Sequence, residues 1–357
     1  MLRICNACRY CEGFCAVFPA MERRLAFGEQ DLVYLANLCH DCRECLHSCQ
    51  YAPPHQFGVD VPMLFAHIRR ETYRKYAWPG ALAGLFNRPG LVLAAVIVGA
   101  PFALLALVAY FVTPAAWLSA HADADGAFYF VMPHTIMVGA FGGVGLLAAV
   151  ALGVGLVACW REIHGTRGAI GDVGAIGHAL RDALTLRYLD GVGEGCAYPG
   201  EVPSHARRRF HHAMFYGFLF CFASTSVAAF YHNVLGWSAP YPLLSVPVVL
   251  GCVGGGGLLV GPAGLLWLKI VHRGESADRR QTRMDIALLV MLWLTAFTGF
   301  VLLALRESAV MGIVLALHLG IVAGLFLTLP YGKFVHGIYR WVALVRYASE
   351  TREGHQM

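Results

Sequence analysis

Cys5-Asn6-Ala7-Cys8-Arg9-Tyr10-Cys11-Glu12-Gly13-Phe14-Cys15 returns, in spacing, as Cys39-His40-Asp41-Cys42-Arg43-Glu44-Cys45-Leu46-His47-Ser48-Cys49. Each run gathers three thiols within seven residues and adds a fourth four residues on. That is the ligand pattern of a [4Fe–4S] cube, three of whose corners come from one run and the fourth from elsewhere. In paired runs of this kind the fourth cysteine serves the other run's cluster. Cys5, Cys8, Cys11 and Cys49 then form one ligand set, and Cys39, Cys42, Cys45 and Cys15 the other. The implied chemistry is one-electron transfer. A structural zinc site takes four ligands, usually as two separated pairs. A disulfide framework needs an oxidising compartment, and the opening Met1-Leu2-Arg3-Ile4-Cys5 holds no apolar stretch of the signal-peptide kind. The spacing therefore favours iron–sulfur ligation over both.

Composition sets the chain apart from a soluble carrier. Hydrophobic residues make up 58% and charged residues 14%, against about 45–50% and about 25% in ordinary globular proteins. The excess follows residue 90. Six stretches, approximately 91–112, 135–160, 210–235, 243–268, 286–305 and 309–329, are long enough to cross a bilayer and contain no Asp, Glu, Lys or Arg. The last is expected to run on helically towards His336. With the N-terminus inside, all but one of the 27 Lys and Arg residues fall on the inner side; the exception is Arg306. By the positive-inside rule both termini face the cytoplasm of a cell inner membrane. The run Arg207-Arg208-Arg209 abuts a span, which argues against nucleic acid as its partner.

The expected fold is all-α: a helical, ferredoxin-like two-cluster domain over 1–75, then a six-helix transmembrane bundle over 76–357. Between the cysteine runs, 31–38 reads as a short helix with Asp31 near its N-terminus, and no strand-like alternation appears. Pro62 opens another helix near its first position, and Trp78-Pro79-Gly80 ends it. In the long inner loop, 179–189 reads as an interfacial helix. The run Gly254–Gly257 lies within the fourth span and reads as a close helix–helix contact.

Ionisable residues inside spans are costly and usually face the bundle interior. His211 and His232 stand at opposite ends of the third span. His318 and His336 stand 18 residues apart on the sixth, five turns of one helix, hence one face. Antiparallel third and sixth helices would offer an inner pair, His211 with His336, and an outer pair, His232 with His318. This suits bis-histidine b-type haem, one or two per chain. His212 is the alternative to His211 as inner ligand. His134, His164, His178 and His272 read as interfacial, and His205 and His121 as loop residues. Cys159, Cys221 and Cys252 read as packing residues. Cys196, in Gly193-Glu194-Gly195-Cys196-Ala197-Tyr198-Pro199, has no ready packing role.

The double cysteine run, the segment Leu180-Arg181-Asp182-Ala183-Leu184-Thr185-Leu186-Arg187-Tyr188-Leu189-Asp190, and Phe210-His211-His212 with Phe215-Tyr216-Gly217-Phe218 resemble the tricarballylate-utilisation protein B family, also called citrate-utilisation protein B. The resemblance covers the whole chain. It implies a membrane electron carrier that reoxidises the flavin of a cytoplasmic FAD-dependent dehydrogenase and passes electrons through clusters and haem to quinone. The membrane half is also similar to the nitrate reductase gamma-subunit group of cytochromes b. Its last haem helix matches His318 to His336 through Leu329-Pro330-Tyr331-Gly332-Lys333-Phe334-Val335-His336, and Arg208-x-x-His211 matches its earlier ligand. Ten residues beyond that ligand, where diheme members carry a second histidine, this chain has Cys221, so the resemblance does not supply His232.

Two function classes follow. One is an oxidoreductase component joining a flavoprotein to quinone, with membrane lipid around it and no substrate-catalytic residue of its own. The other is a membrane-bound iron–sulfur redox sensor or transporter-associated protein. The absence of a Rossmann or flavin fingerprint places any hydride chemistry in a partner. The continuous series of head, histidines and spans favours the carrier.

Overall fold

The computed structural model describes residues 1–113, 117–120, 126–165, 172–196, 202–271 and 278–354. His121, His272 and the segment Ala197-Tyr198-Pro199 lie outside the described residues. Those described are helical, with no strand beyond an isolated pairing of Cys196 with Ser204.

The head comprises α1 (Leu2–Cys8), α2 (Val17–Glu22), α3 (Glu29–Leu38), α4 (Glu44–His47) and α5 (Val61–Tyr76). At the start of α3 the Asp31 carboxylate accepts a hydrogen bond from the Gly28 N–H at 3.2 Å, which satisfies a backbone donor at the helix N-terminus. Asp60 caps α5 by accepting from the Met63 N–H at 2.8 Å, and Pro62 sits in its first turn. A short α6 (Gly80–Ala83) follows Trp78 and Pro79 at the membrane side.

The bundle is formed by α7 (Pro89–Phe111), α9 (His134–His164), α11 (Ala206–Leu235), α12 (Val246–Val271), α13 (Arg279–Leu305) and α14 (Met311–Thr328); α8 (Ala127–Val131) and α10 (Val173–Thr185) lie in connections, and α15 (Val335–Gly354) closes the chain. Six helical segments are long and apolar enough to cross a membrane, the sixth joining α14 to α15. Side chains such as Leu91, Phe102, Leu146, Phe222, Val260 and Trp267 are exposed on their outer faces, as a multi-pass membrane protein requires. The helices run further inward than the apolar windows, α13 by starting at Arg279. Long cationic side chains there can reach water from a helix still lodged in lipid.

The polyglycine expectation holds at the contact of α11 with α12. A Cβ on Gly254 would lie 2.8 Å from the Gly217 carbonyl oxygen, and one on Gly257 would lie 2.6 Å from that of Ala213. Only hydrogen fits at these crossings. Cys221 abuts Gly254 and is a packing residue.

Two expectations about helices are corrected. The sixth span is not one helix through His336: α14 ends at Thr328, a 3-10 turn covers Leu329–Tyr331, and Gly332 is extended before α15 begins. Pro330 lacks an N–H and its ring clashes with a helix continuing from the preceding turn. Five unbroken turns therefore do not relate His318 to His336. The inner-loop helix starts at Val173 rather than 179, capped by Asp172, whose carboxylate accepts from the Ala175 N–H at 2.9 Å.

Beyond the break, α15 leaves the bundle and enters the head. Phe18, Met21, Leu35, Leu38 and Phe65 share one core with Tyr339, Val342, Leu344 and Val345 of α15 and with Cys159 and Ile163 of α9. Each such side chain, taken from water to full burial, contributes roughly 1.5–3 kcal/mol. The head thus completes its interior with the last helix.

Candidate metal centres

Cys5 and Cys8 lie on α1, with Cys11 and Cys15 in the turns after it; Cys39 follows α3, Cys42 sits in the next turn, Cys45 is on α4 and Cys49 follows it. The duplication extends to the backbone. The residue after the second cysteine of each run is left-handed, Arg9 at φ 57° and Arg43 at φ 67°, a conformation uncommon outside glycine. All eight cysteines are free and half-buried.

Their mutual electrostatics run between the two runs as well as within them. After burial, the strongest effect on Cys5 and on Cys11 comes from Cys49, the last residue of the other run. On Cys15 it comes from Cys42 and Cys39. Burial and these neighbours push the thiols up, Cys5 to about 11 and Cys11 and Cys15 to about 12. Such thiols stay protonated on their own, and a bound metal centre would deprotonate them. Among the described residues no three His, Cys, Asp or Glu side chains converge closely enough for a single metal ion. A four-iron cube carries its thiolates on four different irons, so its ligands stand further apart than those of zinc.

A buried cation tests the fit of an anionic cluster. Arg69 is 0% exposed. Its Nη1 donates to the Ala36 carbonyl at 3.1 Å and its Nη2 lies 3.4 Å from the Asp41 carboxylate, yet Nε and Nη2 lack hydrogen-bond partners. The thiol of Cys39 is a sulfur on which it acts directly. A buried donor without a partner is rare and costly; Nε is one, and negative charge on the Cys39 set would stabilise this cation further.

The membrane histidines divide into an engaged inner group and a dispersed outer group. His336, at the start of α15, shares a 3.3 Å hydrogen bond through Nδ1 with the Tyr73 hydroxyl of α5. His40, immediately after Cys39, has its ring centroid 6.4 Å from that of His336. His40 is half-buried, and its removal from water, with Arg340, His336, His211 and Arg207 nearby, holds its imidazole well below the usual range. His211 belongs to the same group through His336 and Arg340, and its Nδ1 is buried without a partner. His212 points elsewhere, towards Leu184 and Thr185 at the end of α10 and against the Tyr216 ring at 5.7 Å. His211 and His336 thus lie within electrostatic range of one another at the inner end, His336 held through Nδ1 by Tyr73 and His211 with its Nδ1 unpartnered.

The outer pair is not brought together. His232 stacks on His134 at 3.8 Å between centroids, with Tyr129 at 4.9 Å. His318 shares a 3.0 Å hydrogen bond with the Thr298 hydroxyl on α13 and lies beside Gly299, where a Cβ would come within 3.2 Å of its ring. Of the other histidines, His164 stacks on Trp160 at 4.3 Å and reaches the Val342 carbonyl at 3.2 Å, and His205 pairs with Asp190 at 3.1 Å. Cys196 is buried, and its thiol shares a hydrogen bond with Cys42, so the inner loop closes over the second cysteine run. Sequence reasoning passed over His40, Arg69, Tyr73 and Arg340. Only His40, adjacent to a ligand cysteine, carried a signal that could have found it.

Residues 88–356 match the model of the citrate utilization protein B family, and residues 1–75 match that family's Fer4-like domain. The chain belongs to the citrate utilization protein B family. A relative from Escherichia coli described as citrate utilization protein B is 49% identical over all of this chain and 92% of its own length. No solved structure matches the chain. The Fer4-like match gives the head an iron–sulfur, electron-transfer character, and the apolar helices make the family member a multi-pass membrane protein.

Proposed function

We propose that this chain carries single electrons from a reduced cytoplasmic FAD-dependent dehydrogenase of a tricarboxylic acid, of the tricarballylate dehydrogenase type, to quinone in the inner membrane. Cys5, Cys8, Cys11 and Cys49 would hold one [4Fe–4S] cluster and Cys39, Cys42, Cys45 and Cys15 the other; His211 and His336 would hold a b-type haem. Those groups supply the one-electron chemistry, and the chain supplies their order and spacing. Both termini lie on the cytoplasmic side, in line with the distribution of Lys and Arg.

The observation that carries this reading is the junction at His40. One residue beyond a ligand cysteine, its ring stands 6.4 Å from that of His336, and His336 is anchored to the head by Tyr73. A redox sensor would need no such continuity between the cysteines and the membrane histidines. Support for a quinone comes from a narrow apolar cleft at the inner end, lined by Phe86, Met291, Leu329 and Phe334 with Thr328 and Lys333 at its polar corner. Lys333 lies three residues before His336, and its Nζ pairs with Asp285 at 3.0 Å.

The test is spectroscopic. The purified chain should contain about eight non-haem irons and a low-spin haem, and the reduced dehydrogenase should reduce both. Membranes lacking the chain should lose flavin reoxidation coupled to quinone; unchanged reoxidation would refute the proposal.

A further inference from the structure

Among the described residues three arginines are buried: Arg24, Arg69 and Arg340. Their placement relative to the two cysteine sets is unequal. Arg24 is paired with carboxylates, Asp31 at 2.7 Å and Glu350 at 2.5 Å, so its charge is spent at the N-terminal end of α3. Arg69 and Arg340 both stand at the other end of α3, directly before Cys39. Arg69, from α5, donates to the carbonyl of Ala36; Arg340, from α15, donates to that of Leu38. Two guanidinium groups from opposite sides thus hold the last carbonyls of α3 and fix the entry into the second run.

Their charge is offset unequally: Arg69 is ion-paired with Asp41, whereas Arg340 has no carboxylate partner among the described residues. Arg69 pairs through Nη2 with Asp41 at 3.4 Å and keeps Nε without a hydrogen-bond partner. Arg340 acts on Cys15, Cys39 and Cys42, members of one ligand set. Cys39 also receives the Asp41 backbone N–H at 3.3 Å. The other set has no buried arginine of its own, and Arg3 and Arg9 beside it are exposed to solvent, where charges are screened. A cluster gains one negative charge on reduction. Buried cations and N–H groups beside its sulfurs favour that added charge and raise its reduction potential.

We propose that Arg69 and Arg340 set the cluster of Cys39, Cys42, Cys45 and Cys15 at a higher reduction potential than that of Cys5, Cys8, Cys11 and Cys49. This inference rests on the two-cluster reading above. An electron delivered to the head then settles on the side facing His40 and His336: the set of Cys5, Cys8, Cys11 and Cys49, here the outer set, is oxidised by one electron as that of Cys39, Cys42, Cys45 and Cys15, the inner set, is reduced by one, with no proton or bond exchanged. The arginines act through the cluster's charge and touch no substrate, so they are positioning residues.

The test is a potentiometric titration of the full-length chain in lipid nanodiscs, followed by electron paramagnetic resonance. In the wild type, two cluster signals should titrate separately. Cys5→Ala and Cys8→Ala, which strip the outer set, should leave the higher-potential signal; survival of the lower-potential one would overturn the proposal without any arginine variant. Arg340→Met and Arg69→Met should each lower the reduced-to-oxidised ratio of the inner cluster about tenfold at fixed potential, about 59 mV for a one-electron couple, with the outer cluster unmoved. Arg340→Lys and Arg69→Lys should restore most of the shift. Wild-type potentials in both Met variants at full iron content would overturn it. A wild-type preparation with neither cluster signal would instead overturn the two-cluster reading on which it stands.

Discussion

The two ends of the membrane bundle are built differently although each carries two histidines of the sequence pattern. At the inner end, His336 is tied to Tyr73, His40 stands beside it, and α15 carries Arg340 one turn further into the head. The surrounding residues come from the head, from α11 and from α15. At the outer end, His232 stacks on His134 while His318 is bonded to Thr298, so each has its own local partner. The lesson is that equal spacing along two helices does not give equal sites. A histidine becomes part of a centre only where other elements immobilise it and leave its second nitrogen free, as at metal-ligating histidines generally.

The largest expected effect separates the ends outright. His336→Ala should abolish the low-spin haem signal while iron and sulfide in the head stay complete, and His232→Ala should leave that signal intact. Haem content and spectra of both variants check this; a retained signal in His336→Ala would break the comparison.

Next in size is the strap at the inner end. Arg24 joins Asp31 to Glu350 and lies 4.8 Å from the centroid of the Tyr34 ring. Arg24→Ala leaves two partly buried carboxylates with Arg346 bridging them and Arg23 reaching only Glu350, at 3.9 Å. A cost of about 3 kcal/mol is expected, read as a lower unfolding temperature and faster proteolytic release of the head. The outer counterpart is Arg306, whose Nη1 donates to the Tyr241 carbonyl at 3.0 Å. Arg306→Ala should cost about 1 kcal/mol and leave the head's protection unchanged.

A smaller effect should follow from Tyr73→Phe. It removes the hydroxyl at His336 Nδ1 and nothing else, and haem retention should weaken about tenfold. Thr298→Val, the matching change beside His318, should leave haem retention as it was.

The smallest is a pH effect at the seam between head and bundle. Asp278 caps α13 and pairs with Arg70 of α5 at 2.6 Å. Burial raises its carboxyl, but the Gln281 N–H and Arg70 outweigh it and hold the group below the usual carboxylate range. Stabilisation from a depressed carboxyl is complete above its unfolded value of about 4 and is lost as pH falls through the folded value. The wild type should therefore lose stability faster than Asp278→Asn over that acid range, as measured by thermal unfolding against pH.

The Fer4-like character of the head was legible because spacing is a local property: the chain writes one cysteine pattern twice, and the left-handed residue after the second cysteine of each run repeats with it. The spans were legible because hydrocarbon tolerates little else. Their inner ends were misjudged by several residues, since cationic side chains can reach water from inside a helix. The assumption of a continuous sixth helix failed at Pro330, where the break lets α15 turn into the head. His212 and His211 are adjacent in sequence, and only packing separates the one facing α10 from the one facing His336.

By itself, then, the sequence determined two sulfur-rich ligand runs, an all-helical membrane domain and the presence of ionisable groups within it, because spacing and apolar length act over a few turns of chain. The tertiary structure alone decided which histidines keep company with the cysteines and where uncompensated positive charge lies. Arg340 and the Leu38 carbonyl are 302 positions apart, and His40 meets His336 across nearly as many. No local pattern encodes such an encounter, because it depends on α15 completing the head's core, and burial energy rather than spacing brings those residues together.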